Sequence, residues 1–166
     1  MADENDQRPQ EKGIWSVFKD PTNYQILGFL QMCIERRFHL AVQDRFMKET
    51  GLGETDFWIH TDAGGSPKME TEAHMISPDY CYAPPRRVGV MGWSAHGSTC
   101  GGYETGATDW EILKDLQATL NTKPRMYPNA RHLGFFAKEG QMGDQIEILL
   151  IEPEIEQQSG EAPADG

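Results

Sequence analysis

Residues 24–53 read YQILGFLQMCIERRFHLAVQDRFMKETGLG, and the change of period inside this stretch decides the fold. Residues 24–33 form a mostly apolar run, as expected of a strand buried on both faces; its length also leaves a buried helix open. Beyond it Phe38, Ala41, Val42 and Phe46 fall at helical spacing, with Arg37, Asp44, Arg45 and Lys48 largely elsewhere. Gly51 and Gly53 supply the stop. A buried strand thus runs into an amphipathic helix.

The rest of the chain repeats that alternation. TDFWIH at 55–60 predicts a second strand, ending in the loop DAGGSP. Residues 66–86 show no period and contain Pro67, Pro78, Pro84 and Pro85, so an irregular excursion is expected there. RRVGVMGW at 86–93 predicts a third strand. A helix is expected from about Asp109 to Leu120, with Trp110, Leu113, Leu116 and Gln117 at helical spacing and Thr108 or Asp109 as its cap. ARHLGFFAKEG at 130–140 and QIEILLIE at 145–152 predict two more strands around a glycine turn. Strands alternating with helices indicate an α/β fold, with a mainly parallel β-sheet flanked by helices. Ligands of such sheets collect at the C-terminal ends of the strands. Here those ends carry Cys33, the DAGG loop, and His96 with Cys100.

Charge and composition narrow the function. Residues 1–12 hold four acids and two bases and residues 152–166 five acids and no base, so only −4 of the net −11 belongs to the centre. Both ends are poor in large apolar residues, which predicts disordered tails at 1–12 and 153–166 around a single domain at 13–152. With no basic face, nucleic acid is not expected as a partner. With no long apolar run, neither is a membrane. The N-terminus lacks the pattern of a secretory signal, and a cytoplasmic location is expected. An odd cysteine count, Cys33, Cys81 and Cys100, argues for free thiols or metal ligands over a disulfide framework.

Two cysteines and a histidine can hold zinc and leave a fourth tetrahedral position for water. Cys33 lies far from His96 and Cys100 in the chain, so such a site would assemble only in the fold. Glu35 follows Cys33 by two residues and Arg37 follows Glu35 by two. A guanidinium can fix a carboxylate through paired hydrogen bonds, and this carboxylate would sit beside the metal, able to accept a proton.

With CIERR at 33–37, DAGG at 62–65 and HGSTCGG at 96–102, the chain resembles the β-class carbonic anhydrase family over roughly residues 24–120. That family carries Cys-x-Asp-x-Arg after its first strand and His-x-x-Cys-Gly after a later one, with an Ala-Gly-rich loop between. The resemblance implies that Cys33, His96 and Cys100 bind Zn2+ and that Glu35 and Arg37 form an acid–base dyad. The enzyme would be a carbonate dehydratase-like lyase, hydrating CO2 reversibly to bicarbonate by zinc-bound hydroxide, and working as a homodimer or higher homo-oligomer. Two features depart from the family: Glu35 stands where it has Asp, and three residues separate His96 from Cys100 where it has two.

Around this core Asp62 is a candidate for positioning water or a ligand. The amides of Gly101 and Gly102 are candidates for binding an anion such as bicarbonate. The fourth metal ligand could be water, Cys81 or a carboxylate, and Cys81 reads as a loop thiol. His39 reads as exposed or capping; His60, His74 and His132 read as structural. Two further functions stay open on the residues alone: a non-catalytic or other-substrate zinc protein on the same fold, and a thiol redox protein using Cys33 and Cys100.

Overall fold

The computed structural model describes residues 26–69, 72–97, 100–143 and 145–154, with only the backbone of 72–76. The expected tails, except Pro153 and Glu154, and residues 24 and 25 of the first expected strand, lie outside these. A five-stranded sheet has the order β2-β1-β3-β4-β5. Its strands are β1 Gly28–Cys33, β2 Phe57–Asp62, β3 Val90–His96, β4 Arg131–Glu139 and β5 Ile146–Ile151. The first four are parallel and β5 returns antiparallel to β4. Helices α1 (His39–Thr50), α2 (Glu72–Tyr82) and α3 (Asp109–Met126) connect them. The expected α/β architecture with a mainly parallel sheet is present.

Alternation along the strands sorts the core into two layers. Leu30 and Met32 of β1 and Leu133, Phe135 and Ala137 of β4 pack with Phe38, Val42 and Phe46, on the α1 side. Phe29 and Cys33 of β1, and Met91, Trp93 and Ala95 of β3, pack with Ile112, Leu116 and Leu120 of α3. Because both faces are covered, all six residues of β1 are buried, and their sequence has no polar alternation. Each fully buried Leu, Ile or Phe contributes about 1.5–3 kcal/mol.

Three boundaries differ from expectation. The span 66–86 is not irregular throughout: a 3₁₀ turn at Ser66–Lys68 leads to α2, which ends just before Pro84. Its period is hidden because Pro78 interrupts it and, among its described side chains, only Pro78 and Cys81 are buried. The third strand begins at Val90, not at 86, because residues 84–89 turn back from α2, with Arg87 at φ 47° and the Val88 N–H donating to the Cys81 carbonyl at 3.2 Å. It then runs on through Ser94, Ala95 and His96, whose weak strand preference is overridden by pairing with Phe135, Phe136 and Ala137 of β4. Finally, α3 continues six residues past Leu120, carrying Pro124 in its last turn. Thr108 caps it in a capping box with Glu111.

Behind the sheet, the Trp93 indole N–H donates to His132 Nδ1 at 3.2 Å, and His132 Nε2–H donates to the Tyr127 carbonyl at 3.0 Å. The first bond requires an unprotonated Nδ1, so the ring that makes both is neutral. Burial pushes His132 below its ordinary value, opposed by the Tyr127 carbonyl and reinforced by the nearby Lys123 charge. The unfolded chain therefore binds a proton that the folded one refuses. The resulting stability is complete above the ordinary histidine value and declines as pH falls through the folded one. Urea unfolding at pH 8 and pH 5 is expected to show a larger loss in the wild type than in His132→Gln. Equal losses would remove His132 as the cause.

Candidate metal centre

Parallel strands ending at one edge bring the reactive residues together. Cys33 is the last residue of β1 and His96 the last of β3, while Cys100 lies on the loop toward α3. The two sulfurs are 3.7 Å apart. One ligand atom from each of Cys33, His96 and Cys100 lies within 4.8 Å of the others, and all three residues are buried. No other such group occurs among the described residues. Cys81 is outside it; it is buried in α2, a helix and not a loop.

The glycine loops set this geometry by backbone contact. A Cβ on Gly102 would lie 2.3 Å from both the N and Cα of Gly64. A Cβ on Gly65, whose φ is +69°, would lie 2.4 Å from the Ser94 carbonyl oxygen. The DAGG loop is thus seated on the end of β3 and the Cys100 loop on the DAGG loop, with no room for side chains. Asp62 holds the base of this arrangement. It pairs with Cys33 across β1–β2, its carbonyl accepts from Ile34 N at 3.1 Å and Gly65 N at 3.2 Å, and its Oδ1 accepts from Ala63 N at 2.8 Å. Gly101, by contrast, is exposed, with open space where a side chain would go.

The electrostatics follow from these contacts. The Cys100 thiol, then the His96 ring, then the N–H groups of Glu35 and Gly64 hold the Cys33 thiol well below its ordinary value, against the opposing effect of burial. Cys100 is pushed up, first by Cys33 and then by burial. One negative charge therefore resides on Cys33. Burial opposes the charged form of His96, but Cys33 and the Gly97 carbonyl outweigh it, and the net direction is upward.

His96 Nδ1 lies 3.0 Å from the Gly97 carbonyl, so Nδ1 carries the proton. Nε2 is left buried without a hydrogen-bond partner. The Phe38 ring stacks on the imidazole at 4.5 Å and 22° and fixes its plane. These features fit zinc. Two thiolates at about 2.3 Å from a tetrahedral ion stand about 3.8 Å apart, which the sulfur separation matches. A buried, unpartnered imidazole nitrogen whose other nitrogen bonds a carbonyl is the form of histidine that ligates metals.

Glu35 and Arg37 stand beside this group. Glu35 Oε1 accepts from the Arg37 N–H at 3.3 Å and from Arg37 Nε at 3.2 Å. The backbone and side chain of Arg37 hold the Glu35 carboxyl below its ordinary value. Arg37 Nη1 also donates to Glu139 at the end of β4. Glu35, Cys33 and His96 border a cavity of about 10 Å³ with Phe38, Val42 and Ala137, room for one water. Cys33 and Glu35 also border an open cleft of about 440 Å³ with Arg36, Ala63, Gly101 and Gly102.

Three neighbours escape sequence reasoning. Phe38 reads there as one apolar position of a helix, and Glu139 as a charged strand terminus. His39 is half-buried, and its Nε2 bonds the Cys33 carbonyl at 2.7 Å, tying down the end of β1. His60 is half-buried, with Nε2 lacking a partner, and the His74 side chain lies outside the described residues.

No protein-family model matches the chain, and no curated protein matches it. Among solved structures it is similar to one of the tetrameric β-carbonic anhydrases of the filamentous ascomycete Sordaria macrospora, with 14% identity, a TM-score of 0.45, and coverage of 75% of this chain and 81% of that one. It is also similar to a carbonic anhydrase from Glaciozyma antarctica, with 14% identity, a TM-score of 0.42, and coverage of 68% and 76%. Likenesses of this depth leave the chemistry to be argued from the side chains.

Since Cys33 carries the thiolate and borders the open cleft, it is the expected first target of iodoacetamide in chelator-treated protein. Because it is already ionised, its rate should change little between pH 6 and 8, where an ordinary thiol speeds up steeply. Buried Cys81, whose thiol is pushed up to about 11, should stay unmodified. Peptide mapping checks both, and a Cys33 rate that climbs with pH like that of a free thiol would contradict the assignment.

Proposed function

We propose that this chain is a zinc-dependent enzyme that hydrates CO2 reversibly to bicarbonate. The observation that carries the reading is the buried group of Cys33, His96 and Cys100, with sulfurs 3.7 Å apart and an unpartnered imidazole nitrogen, standing beside the Glu35–Arg37 pair. When bound, zinc supplies a Lewis acid that brings the pKa of a water toward about 7.

The residues then divide the work. Cys33, His96 and Cys100 hold the ion. Phe38, Val42 and Ala137 give the adjoining water-sized cavity an apolar wall, while the open cleft bordered by Cys33 and Glu35 has room for the substrate. Glu35 lies on the rim of both cavity and cleft, where its carboxylate takes up the released proton. Arg37 keeps that carboxylate ionised and oriented. Gly101 and Gly102 line the cleft; the Gly102 amide is turned to the Cys100 sulfur, which leaves the Gly101 amide to bind the anionic product. Asp62 positions the loop that carries Gly64, and through it the two thiols.

The functional unit is residues 13–152, with 1–12 and 153–166 as tails. It works in the cytoplasm and assembles from two or more copies. Trp58 and Ile59, 43% and 38% exposed on the edge strand β2, supply an apolar edge for that assembly. No helix among the described residues is long and apolar enough to cross a membrane.

The short sulfur separation also favours a second reading, a thiol redox protein, and metal analysis separates the two. Purified protein is expected to hold about one zinc per chain, lost in Cys33→Ser, Cys100→Ser and His96→Ala. Stopped-flow measurement of CO2 hydration should show activity that falls by at least about 100-fold in Glu35→Gln, the size of a proton-transfer contribution. Zinc-loaded protein with no rate above buffer, and none gained in Glu35→Asp, would end the carbonic anhydrase reading. Metal-free protein with an oxidisable Cys33–Cys100 pair would favour redox chemistry.

A further inference from the structure

Arg37 has two carboxylates on one guanidinium. Its Nε lies 3.2 Å from Glu35 Oε1, and its Nη1 donates to Glu139 Oε1. The two acids come from distant parts of the chain: Glu35 from the turn after β1, Glu139 from the last position of β4. Strand alternation explains the second contact. Leu133, Phe135 and Ala137 face the α1 side with Phe38, so Glu139, two residues on, points the same way. Lys138 points oppositely and is engaged by Glu147 at 3.1 Å, which leaves Glu139 to Arg37. Beneath the guanidinium lies the Phe38 ring at 5.3 Å, and against Phe38 lies His96.

We propose that Glu139 is a positioning residue: it seats Arg37 above the Phe38–His96 stack independently of Glu35. The need for a second seat follows from the work given to Glu35, and in this the inference rests on the proposed function. A carboxylate that serves the cavity beside Cys33 and His96 must at times turn from Arg37. Were Glu35 the sole anchor, each such turn would free a long, half-exposed side chain with several rotatable bonds, and its ordering entropy would have to be recovered. With Glu139 gripping the other arm of the planar fork, the guanidinium stays where Glu35 left it. Only arginine offers two such arms in fixed relation.

The test has a structural and a kinetic arm, both on zinc-loaded, full-length protein. The structural arm follows the rotation of the Arg37 guanidinium by nitrogen-15 NMR. Rotation is expected to stay hindered in Glu35→Gln and to become measurably faster in the double variant Glu35→Gln/Glu139→Gln. If Glu35→Gln alone frees Arg37 as fully as the double variant, Glu139 is not an anchor and the proposal falls. In the kinetic arm, Glu139→Gln should lower kcat for CO2 hydration about 10-fold with KM little changed, as loss of a partner orienting a site residue does. Glu139→Asp should recover part of the loss. An unchanged kcat in Glu139→Gln overturns the positioning role. Should the wild-type protein hydrate no CO2, the functional reading fails, and the Arg37 signal alone decides on Glu139.

Discussion

The structure around Cys33, His96 and Cys100 depends on one close approach, that of Gly102 to Gly64. A side chain at Gly102 would begin 2.3 Å from the Gly64 backbone, so the two loops meet main chain against main chain. The contact does two things at once. It brings Cys100, on a loop leading to α3, within 3.7 Å of Cys33 at the end of β1. It also aims the Gly64 amide at both sulfurs and the Gly102 amide at Cys100. Positioning and electrostatic preparation of the thiols are thus one event. Any side chain forced between the loops would cost about 1–3 kcal/mol by overpacking and would part the thiols as well.

Such a buried pair is unfavourable by itself. A thiolate and a bare imidazole nitrogen placed out of water lose solvation that weak hydrogen bonds only partly return. The chain tolerates this because the sheet beneath is covered on both faces and supplies apolar burial from Phe29, Trp93 and Leu116 on one side and from Leu30, Phe46 and Phe135 on the other. The Phe38–His96 stack belongs to both parts: Phe38 is a core residue of the α1 layer and the plate that fixes the imidazole. Core stability and site geometry are therefore joined at this residue, and a smaller side chain there would loosen both.

What the sequence made legible divides along physical lines. The β1–α1 unit was readable because a run buried on both faces and a helix with one buried stripe leave different periods in adjacent residues. Cys33, His96 and Cys100 were readable because they fall at strand ends, where a parallel sheet gathers side chains at one edge. Helix α2 was not, since Pro78 masks the pattern and the described part of the helix buries only Pro78 and Cys81. The end of β3 was not, because Ser94, Ala95 and His96 are strand residues by pairing and not by preference. Glu139 had no local signal at all. Its partner lies 102 residues away, and only the order of strands in the sheet places β4 beside β3, near the turn that holds Arg37.

The two departures from the β-class pattern take on a different weight in this setting. Separating His96 from Cys100 by three residues does not prevent the sulfurs from reaching the distance that one zinc requires, because Gly102, not the length of the intervening loop, fixes where Cys100 sits. With its extra methylene Glu35 still caps its own 3₁₀ turn, a role the shorter aspartate also fills, and the Arg37 N–H and Arg37 Nε contacts both fall on one oxygen, Oε1. A capped carboxylate is well oriented but less ready to leave. Sharing Arg37 with Glu139 works against that reluctance, since one guanidinium divided between two carboxylates holds each less firmly than it would hold one alone. The cap on Glu35 and the second acid on Arg37 thus act in opposite senses: the first tightens the grip of the turn on Glu35, and the second weakens the grip of Arg37.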